Sequence, residues 1–171
     1  STVYKFYMRA DNYTVEARFL PNTYTLRAAA KAGGTVNVKE YTTHLFGTSV
    51  TVIATANEGY SFEGWYENNV KIEGALAEYT FTMPSKYYSI EARFTQNDYT
   101  LTASAGIGGS VDITEASYHF GDSVTLTATA DSGYAFDGWY VNGQKVSALA
   151  EYTVTMPAEN YTLEARFTEI E

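Results

Sequence analysis

The sequence predicts an all-β protein built as two tandem small antiparallel modules, residues 24–94 and 99–167, preceded by a partial repeat over residues 1–19. Three observations predict it. Sixteen Tyr, nine Phe and two Trp, with Thr at many alternate positions and only three Pro in 171 residues, form a palette suited to pleated, half-buried surfaces rather than helices. Apolar and polar residues alternate with a period of two. The chain also repeats itself, and a repeat has to be found before any local assignment is trusted.

The repeat is plain in three blocks. YTLRAAAKAGGTVNV from Tyr24 realigns with YTLTASAGIGGSVDI from Tyr99. The long stretch from Phe46, ending in GWYENNVKI, realigns with the one from Phe120, ending in GWYVNGQKV, and LAEYTFTMP from Leu76 realigns with LAEYTVTMP from Leu149. Each unit closes on EARF, at 91–94 and 164–167, and the two units are joined by TQND. Residues Tyr4 to Phe19 match Tyr152 to Phe167, with Met8 over Met156 and Arg18 over Arg166, so the opening reads as the last two strands of a preceding, truncated unit. The chain is therefore expected to be a segment of a longer array.

Within a unit each strand has one dry face and one wet face. Tyr99, Leu101, Ala103 and Ala105 alternate with Thr100, Thr102 and Ser104. Val124, Leu126 and Ala128 alternate with Thr125, Thr127 and Thr129, and Leu163, Ala165 and Phe167 alternate with Glu164 and Arg166. This pattern belongs to antiparallel sheets with one solvated side. Glu164 and Arg166 are therefore an outward pair.

Turn chemistry sets the register. Asn142-Gly143, and Asn68-Asn69 in the first unit, suit a two-residue hairpin whose central residues both need positive φ. Tyr140 then faces Lys145 and Trp139 faces Val146, while Tyr66 faces Lys71 and Trp65 faces Ile72. Trp beside an aliphatic partner points to the core, and Tyr beside Lys points to water, where the lysine stem can lie along the ring. Phe136 stands three residues before Trp139, so a bulge at Asp137-Gly138, and equally at Glu63-Gly64, is needed to bury both. Gly33-Gly34, Gly108-Gly109, Gly59 and Gly133 are expected to turn further tight hairpins. The segments 40–47, 114–121 and 147–151 show no clear period and are candidates for short helical turns.

Charge and composition exclude several functions. A formal net charge of -9, with eleven Lys and Arg that never form a basic run, repels phosphate backbones and argues against a nucleic-acid partner. No apolar run reaches the eighteen or so residues of a spanning helix, so no membrane insertion is expected of this segment. The absence of Cys removes disulfides and thiolate metal sites. His44 and His119 stand one per unit, before FG, without a second His or Cys to complete a ligand set, so no metal is expected. DSGYAFDG lacks the acidic spacing of a calcium loop, AGIGGS lacks the Lys of a phosphate loop, and no Ser-His-Asp or G-x-S-x-G arrangement can be assembled. No catalytic residue and no cofactor is therefore expected. The candidate ligand contacts are the outward aromatics Tyr66 and Tyr140, which suit sugar or protein surfaces.

The string G-Y-x-F-x-G-W-Y, a turn, then Y-T-x-T-M-P and a closing E-A-R-F resembles the divergent internalin B-repeats of bacterial surface proteins, relatives of the Listeria-Bacteroides repeat. The resemblance covers both full units and the opening residues. Arg9 departs from it, standing where the other copies have Pro84 and Pro157. It implies a β-grasp-like module with a crossing helix, for which this sequence offers only short candidates, so a compact all-β variant stands open beside it. It further implies a non-enzymatic repeat of a secreted or wall-attached protein, extracellular or cell wall-associated, acting as spacer, stalk or adhesion segment. Its partners would be neighbouring repeats of the same chain and a host or cell-wall protein or glycan. A carbohydrate- or protein-binding module using exposed aromatics is the alternative.

Overall fold

A computed structural model describes residues 3–8, 10 and 12–171, and no helix occurs among them. The first module comprises β1 (Thr23–Ala30), β2 (Gly34–Val36), β3 (Tyr41–Leu45), β4 (Ser49–Ala56), β5 (Tyr60–Glu67), β6 (Val70–Lys71), β7 (Glu78–Thr82) and β8 (Tyr88–Gln96). The second comprises β9 (Asp98–Ala105), β10 (Gly109–Val111), β11 (Glu115–His119), β12 (Ser123–Ala130), β13 (Tyr134–Val141), β14 (Gln144–Ser147), β15 (Glu151–Thr155) and β16 (Tyr161–Glu169).

Each module has two sheets. In the first, a five-stranded sheet runs β3-β1-β8-β5-β6 and a three-stranded sheet runs β2-β4-β7; the second repeats this as β11-β9-β16-β13-β14 and β10-β12-β15. All pairings are antiparallel except β1 with β8 and β9 with β16, so the fold is mixed at its centre. The crossing helix of a β-grasp is absent among the described residues; strands form both layers. The expected helical turns at 40–47 and 114–121 are instead the edge strands β3 and β11, whose poor periodicity reflects their half-exposed position. The stretch 147–151 likewise carries no helix and leads from β14 into β15.

The dry faces meet between the sheets. Leu26, Ala28, Val52, Trp65, Met83, Ile90 and Ala92 pack in one core, and Leu101, Ala103, Leu126, Trp139, Met156, Leu163 and Ala165 in another. Both Trp side chains are fully buried. An indole N-H left unpaired in a core costs a hydrogen bond. Trp65 Nε1 accordingly donates to the carbonyl of Leu76 at 3.1 Å, and Trp139 Nε1 to that of Ala150 at 3.2 Å. On the wet faces, Thr51 and Thr80 hydroxyls bond across strands at 2.7 Å, and Thr125 and Thr153 at 2.8 Å.

The bulges lie where the sequence puts them: the β5–β8 register shifts between Phe62 and Gly64, and the β13–β16 register between Phe136 and Gly138. The extra residue, Glu63 or Asp137, turns Phe62 onto Trp65 and Phe136 onto Trp139, each ring pair 6.0 Å apart. The hairpins at Asn68-Asn69 and Asn142-Gly143 adopt positive φ at both central residues, 50° and 65°, and 51° and 78°. Tyr66 pairs with Lys71 and Tyr140 with Lys145 as expected. Trp139, however, pairs with Ser147 and not Val146, because a second irregularity falls between Trp139 and Tyr140 and leaves Val146 as the extra residue.

Three expectations need correction. Gly33-Gly34 and Gly59, with Gly108-Gly109 and Gly133, do not close hairpins: β1 leads into β2 and β4 into β5 across different sheets, so these turns are corners. Turn chemistry fixes a change of direction, not the partner of the strand that follows. The connector TQND is not a loop, since β8 runs to Gln96 and β9 starts at Asp98, leaving Asn97 alone between the modules. Finally, the last two strands expected within residues 1–19 are not found: none of the described residues from 3 to 22 is in a strand.

Candidate functional site

Tyr66 and Tyr140, the two sequence-derived contact candidates, occupy equivalent places beside the bulges. The bulge turns the acidic residue three positions earlier onto the same face, so the tyrosine hydroxyl donates to it: Tyr66 to Glu63 Oε1 at 2.6 Å, and Tyr140 to Asp137 Oδ2 at 2.5 Å. The central neighbour strand then supplies the arginine of EARF. The Arg93 guanidinium carbon lies 4.1 Å from the centre of the Tyr66 ring, and that of Arg166 4.2 Å from the Tyr140 ring. These are close cation–π stacks. The Lys145 ammonium lies 6.0 Å from the centre of the Tyr140 ring and also donates to Asp137 Oδ1 at 2.9 Å.

The arginines are themselves held in place. Arg93 Nε donates to Glu91 Oε1 at 2.9 Å and its Nη2 to Asn69 Oδ1 at 2.5 Å, while Lys31 reaches Glu91 Oε2 at 3.2 Å. Arg166 donates twice to Glu164 Oε2, at 2.8 and 2.7 Å. The outward Glu-Arg pair of each EARF thus anchors a guanidinium over the tyrosine of GWY. Sequence reading found the tyrosines and the Glu-Arg pairs separately. It missed that they meet, although the required bulge, which moves Glu63 and Asp137 to the tyrosine face, was the available signal.

The electrostatics follow from these contacts. The Tyr140 hydroxyl and then the Lys145 ammonium hold the Asp137 carboxyl below its usual range, and the same hydrogen bond pushes the Tyr140 phenol up. Glu63 does the same to the Tyr66 phenol. For Glu91, burial pushes the carboxyl up, but hydrogen bonds from Arg93 and Lys31 outweigh it and leave the carboxyl lowered. Every one of these shifts is explained by a partner already in place.

Beside the first cluster, Arg27, Tyr66, Asn69, Glu91 and Arg93 rim a depression of about 160 Å³. Small-molecule pockets typically enclose about 300 to 1,000 Å³. The second module has Thr102 where the first has Arg27.

The two histidines are not structural equivalents. Tyr24 pairs with His44, but Tyr99 pairs with Tyr118, because the second unit is one residue shorter before this strand. A one-residue slip reverses the face of a strand. His44 bonds to the Thr42 hydroxyl at 2.8 Å, whereas His119 Nε2 lies 3.3 Å from Asp98 Oδ1. Among the described residues no group of three or more His, Asp or Glu side chains is placed to hold a metal ion.

Comparison with known proteins places these modules. A family model described as the divergent InlB B-repeat domain matches residues 24–98 and again 99–171. Internalin H of Listeria monocytogenes is 35% identical over 132 residues, covering 71% of this chain and 23% of its own length. A protein of Evansella cellulosilytica named "Putative membrane protein" is 28% identical over 160 residues, covering 92% of this chain and 23% of its own. The chain therefore spans under a quarter of the length of these relatives. Among solved structures, the Bacillus anthracis TIE protein aligns over 88% of this chain and 34% of its own, at 9% identity and a TM-score of 0.42, too loose to carry an argument. With the family model matched twice in succession over nearly the whole chain, this protein belongs to the divergent InlB B-repeat domain family and carries two tandem copies of the domain.

Proposed function

We propose that the chain is a non-enzymatic repeat segment of a bacterial surface or secreted protein, extracellular or cell wall-associated, that acts as a spacer. The observation that carries this reading is the tandem layout: two modules, each with its own core, follow one another through the single residue Asn97. So short a connector limits relative motion and turns repetition into reach. The sites agree with it. One face of Tyr66 and one of Tyr140 is taken by an arginine, and their hydroxyls are spent on neighbouring carboxylates, which leaves less ring for a sugar than a bare platform offers.

The second reading is adhesion to a host or cell-wall protein or glycan. It is favoured by exposed Tyr41 and Tyr87 and by the half-buried Tyr66 and Tyr140. The two are separated by presenting the chain to arrays of glycans and cell-surface proteins. A spacer shows no saturable binding. Binding that disappears in Tyr66→Ala or Tyr140→Ala, with the melting temperature unchanged, would replace the spacer reading with adhesion.

A further inference from the structure

The boundary between the modules contains a contact that the chain makes once and is equipped to make twice more. Gly59, in the corner between β4 and β5, has a positive φ of 77°. A Cβ added there would lie 2.5 Å from Cβ of Phe120 and 3.0 Å from its ring carbons Cγ and Cδ1. Phe120 belongs to the other module, in the corner between β11 and β12, so its side chain rests directly on the Gly59 α-carbon. Polar bonds tie the connector to the same corner. Asn97 N donates to the Gly59 carbonyl at 2.8 Å, Ser61 Oγ donates to Asn97 Oδ1 at 2.6 Å, and Asn97 Nδ2 reaches the Tyr99 hydroxyl at 3.4 Å.

Each partner of this contact has a counterpart that meets no second module among the described residues, Phe46 touching only the Tyr24 ring of its own module edge-on at 6.4 Å. Gly133 is the equivalent glycine of the second module: its φ is 84°, its carbonyl accepts from Ile170 N at 2.9 Å as Gly59 does from Asn97, and among the described residues nothing lies within 4 Å of the position of its Cβ. Phe46 is the equivalent of Phe120. It is 58% exposed where Phe120 is 37% exposed. Before it, Asn22 stands where Asn97 stands before Phe120, and the Asn22 carbonyl accepts from Phe46 N at 2.9 Å.

We propose that the glycine corner and the phenylalanine corner are the two halves of an inter-repeat docking site, closed at Gly59–Phe120 and open at Phe46 and Gly133, and that the occupant of each open half is a further repeat of the same fold joined in tandem. The glycine is required twice over, for its left-handed backbone and for the space a side chain would take from the ring. Continuity with the closed contact identifies the occupant: the exposed Phe46 ring presents the chemistry that Phe120 presents, and the Gly133 corner presents the surface that receives it. The contact fixes the angle between successive repeats and so goes beyond the spacer role. A string of freely jointed repeats would sink the docking site and leave a flexible spacer intact.

The test is the relative orientation of the modules in the whole 171-residue chain, measured by residual dipolar couplings and ¹⁵N relaxation, with the Trp65 and Trp139 indole signals reporting that each core remains folded. Both modules are expected to share one alignment tensor and one correlation time. Phe120→Ala splits them into two tensors. Gly59→Asn does the same from the opposite module, since Asn tolerates the left-handed backbone but its Cβ displaces the ring. Phe46→Ala and Gly133→Asn leave the coupling as it was. Extending the chain by a second copy of residues 98–171 fused after Ile170 brings a phenylalanine corner to Gly133. The third module then joins the common tensor, and Gly133→Asn, silent before, releases it. Independent tensors in the unaltered chain, coupling that survives both Phe120→Ala and Gly59→Asn, or a third module indifferent to Gly133→Asn would each overturn the proposal.

Discussion

NYTVEARF at 12–19 and NYTLEARF at 160–167 differ at one position, Val15 against Leu163, and have opposite fates. In the second, Leu163 and Ala165 are fully buried at the centre of a five-stranded sheet, between β9 and β13. In the first there is no strand, Tyr13 is 60% exposed, Val15 56% and Phe19 89%. The Glu-Arg pair survives in both, Arg18 to Glu16 at 3.1 Å and Arg166 to Glu164 at 2.7 Å. The difference separates what the eight residues specify alone from what their neighbours add. An ion pair two residues apart is local. A strand must satisfy its backbone on both sides, and the β1- and β5-type strands that would flank the first copy are already taken by β8 and β16. An unpaired strand has no independent stability.

Substitutions sharpen this contrast in order of expected size. Trp139→Ala empties the centre of the second core and removes one of the two hydrogen bonds to the Ala150 carbonyl, which keeps the one from Ala128 N. It should cost roughly 3 to 5 kcal/mol in urea unfolding of that module and leave the transition of the first module in place. Leu163→Ala should cost about 2 to 5 kcal/mol, while Val15→Ala, the same position in the strandless copy, should stay within about 0.5 kcal/mol. Equal costs would break the comparison.

Smaller effects distinguish the two folded modules. A Cβ on Gly138 meets the backbone carbonyl of Ser147 at 2.7 Å as well as the Lys145 side chain, whereas one on Gly64 meets only the flexible Lys71 side chain. Gly138→Ala should therefore cost about 1 to 3 kcal/mol and Gly64→Ala visibly less, both read as shifts in denaturation midpoint. The charge cluster adds a pH dependence. Asp137 is lowered in the folded state by Tyr140 and Lys145, so its contribution is present above the ordinary carboxyl range and is lost as pH falls through the folded value, below about 4. Tyr140 is raised, so its contribution is full below the ordinary phenol value and is lost only as pH rises past about 10. NMR titration of the Asp137 carboxyl should show a midpoint below the ordinary value that returns toward it in Tyr140→Phe.

Much of the architecture could be read from the residues. Alternation located the buried faces of β9, β12 and β16, and positive-φ pairs located both true hairpins. The need to bury Phe136 and Trp139 together located the bulges. What could not be read was long-range pairing. Nothing local at Gly33 or Gly59 says that the next strand joins the other sheet. The edge strands β3 and β11 lack a dry face strong enough to announce them, and the one-residue shortening before β11 sets His119 opposite Asp98, in the place of Leu45 rather than of His44. The site was half legible for the same reason: Tyr66 and Tyr140 announced themselves, but the arginines that cover them, Arg93 and Arg166, come from a strand 27 and 26 residues later in the chain.

Amide hydrogen exchange across the two copies of the repeated octapeptide separates paired backbone from local sequence, since protection reports pairing. Leu163 and Ala165 should exchange slowly, and Val15 and Ala17 near the unstructured rate. Comparable protection at both pairs would contradict the dependence of this strand on its neighbours, because the same eight residues would then be paired without them.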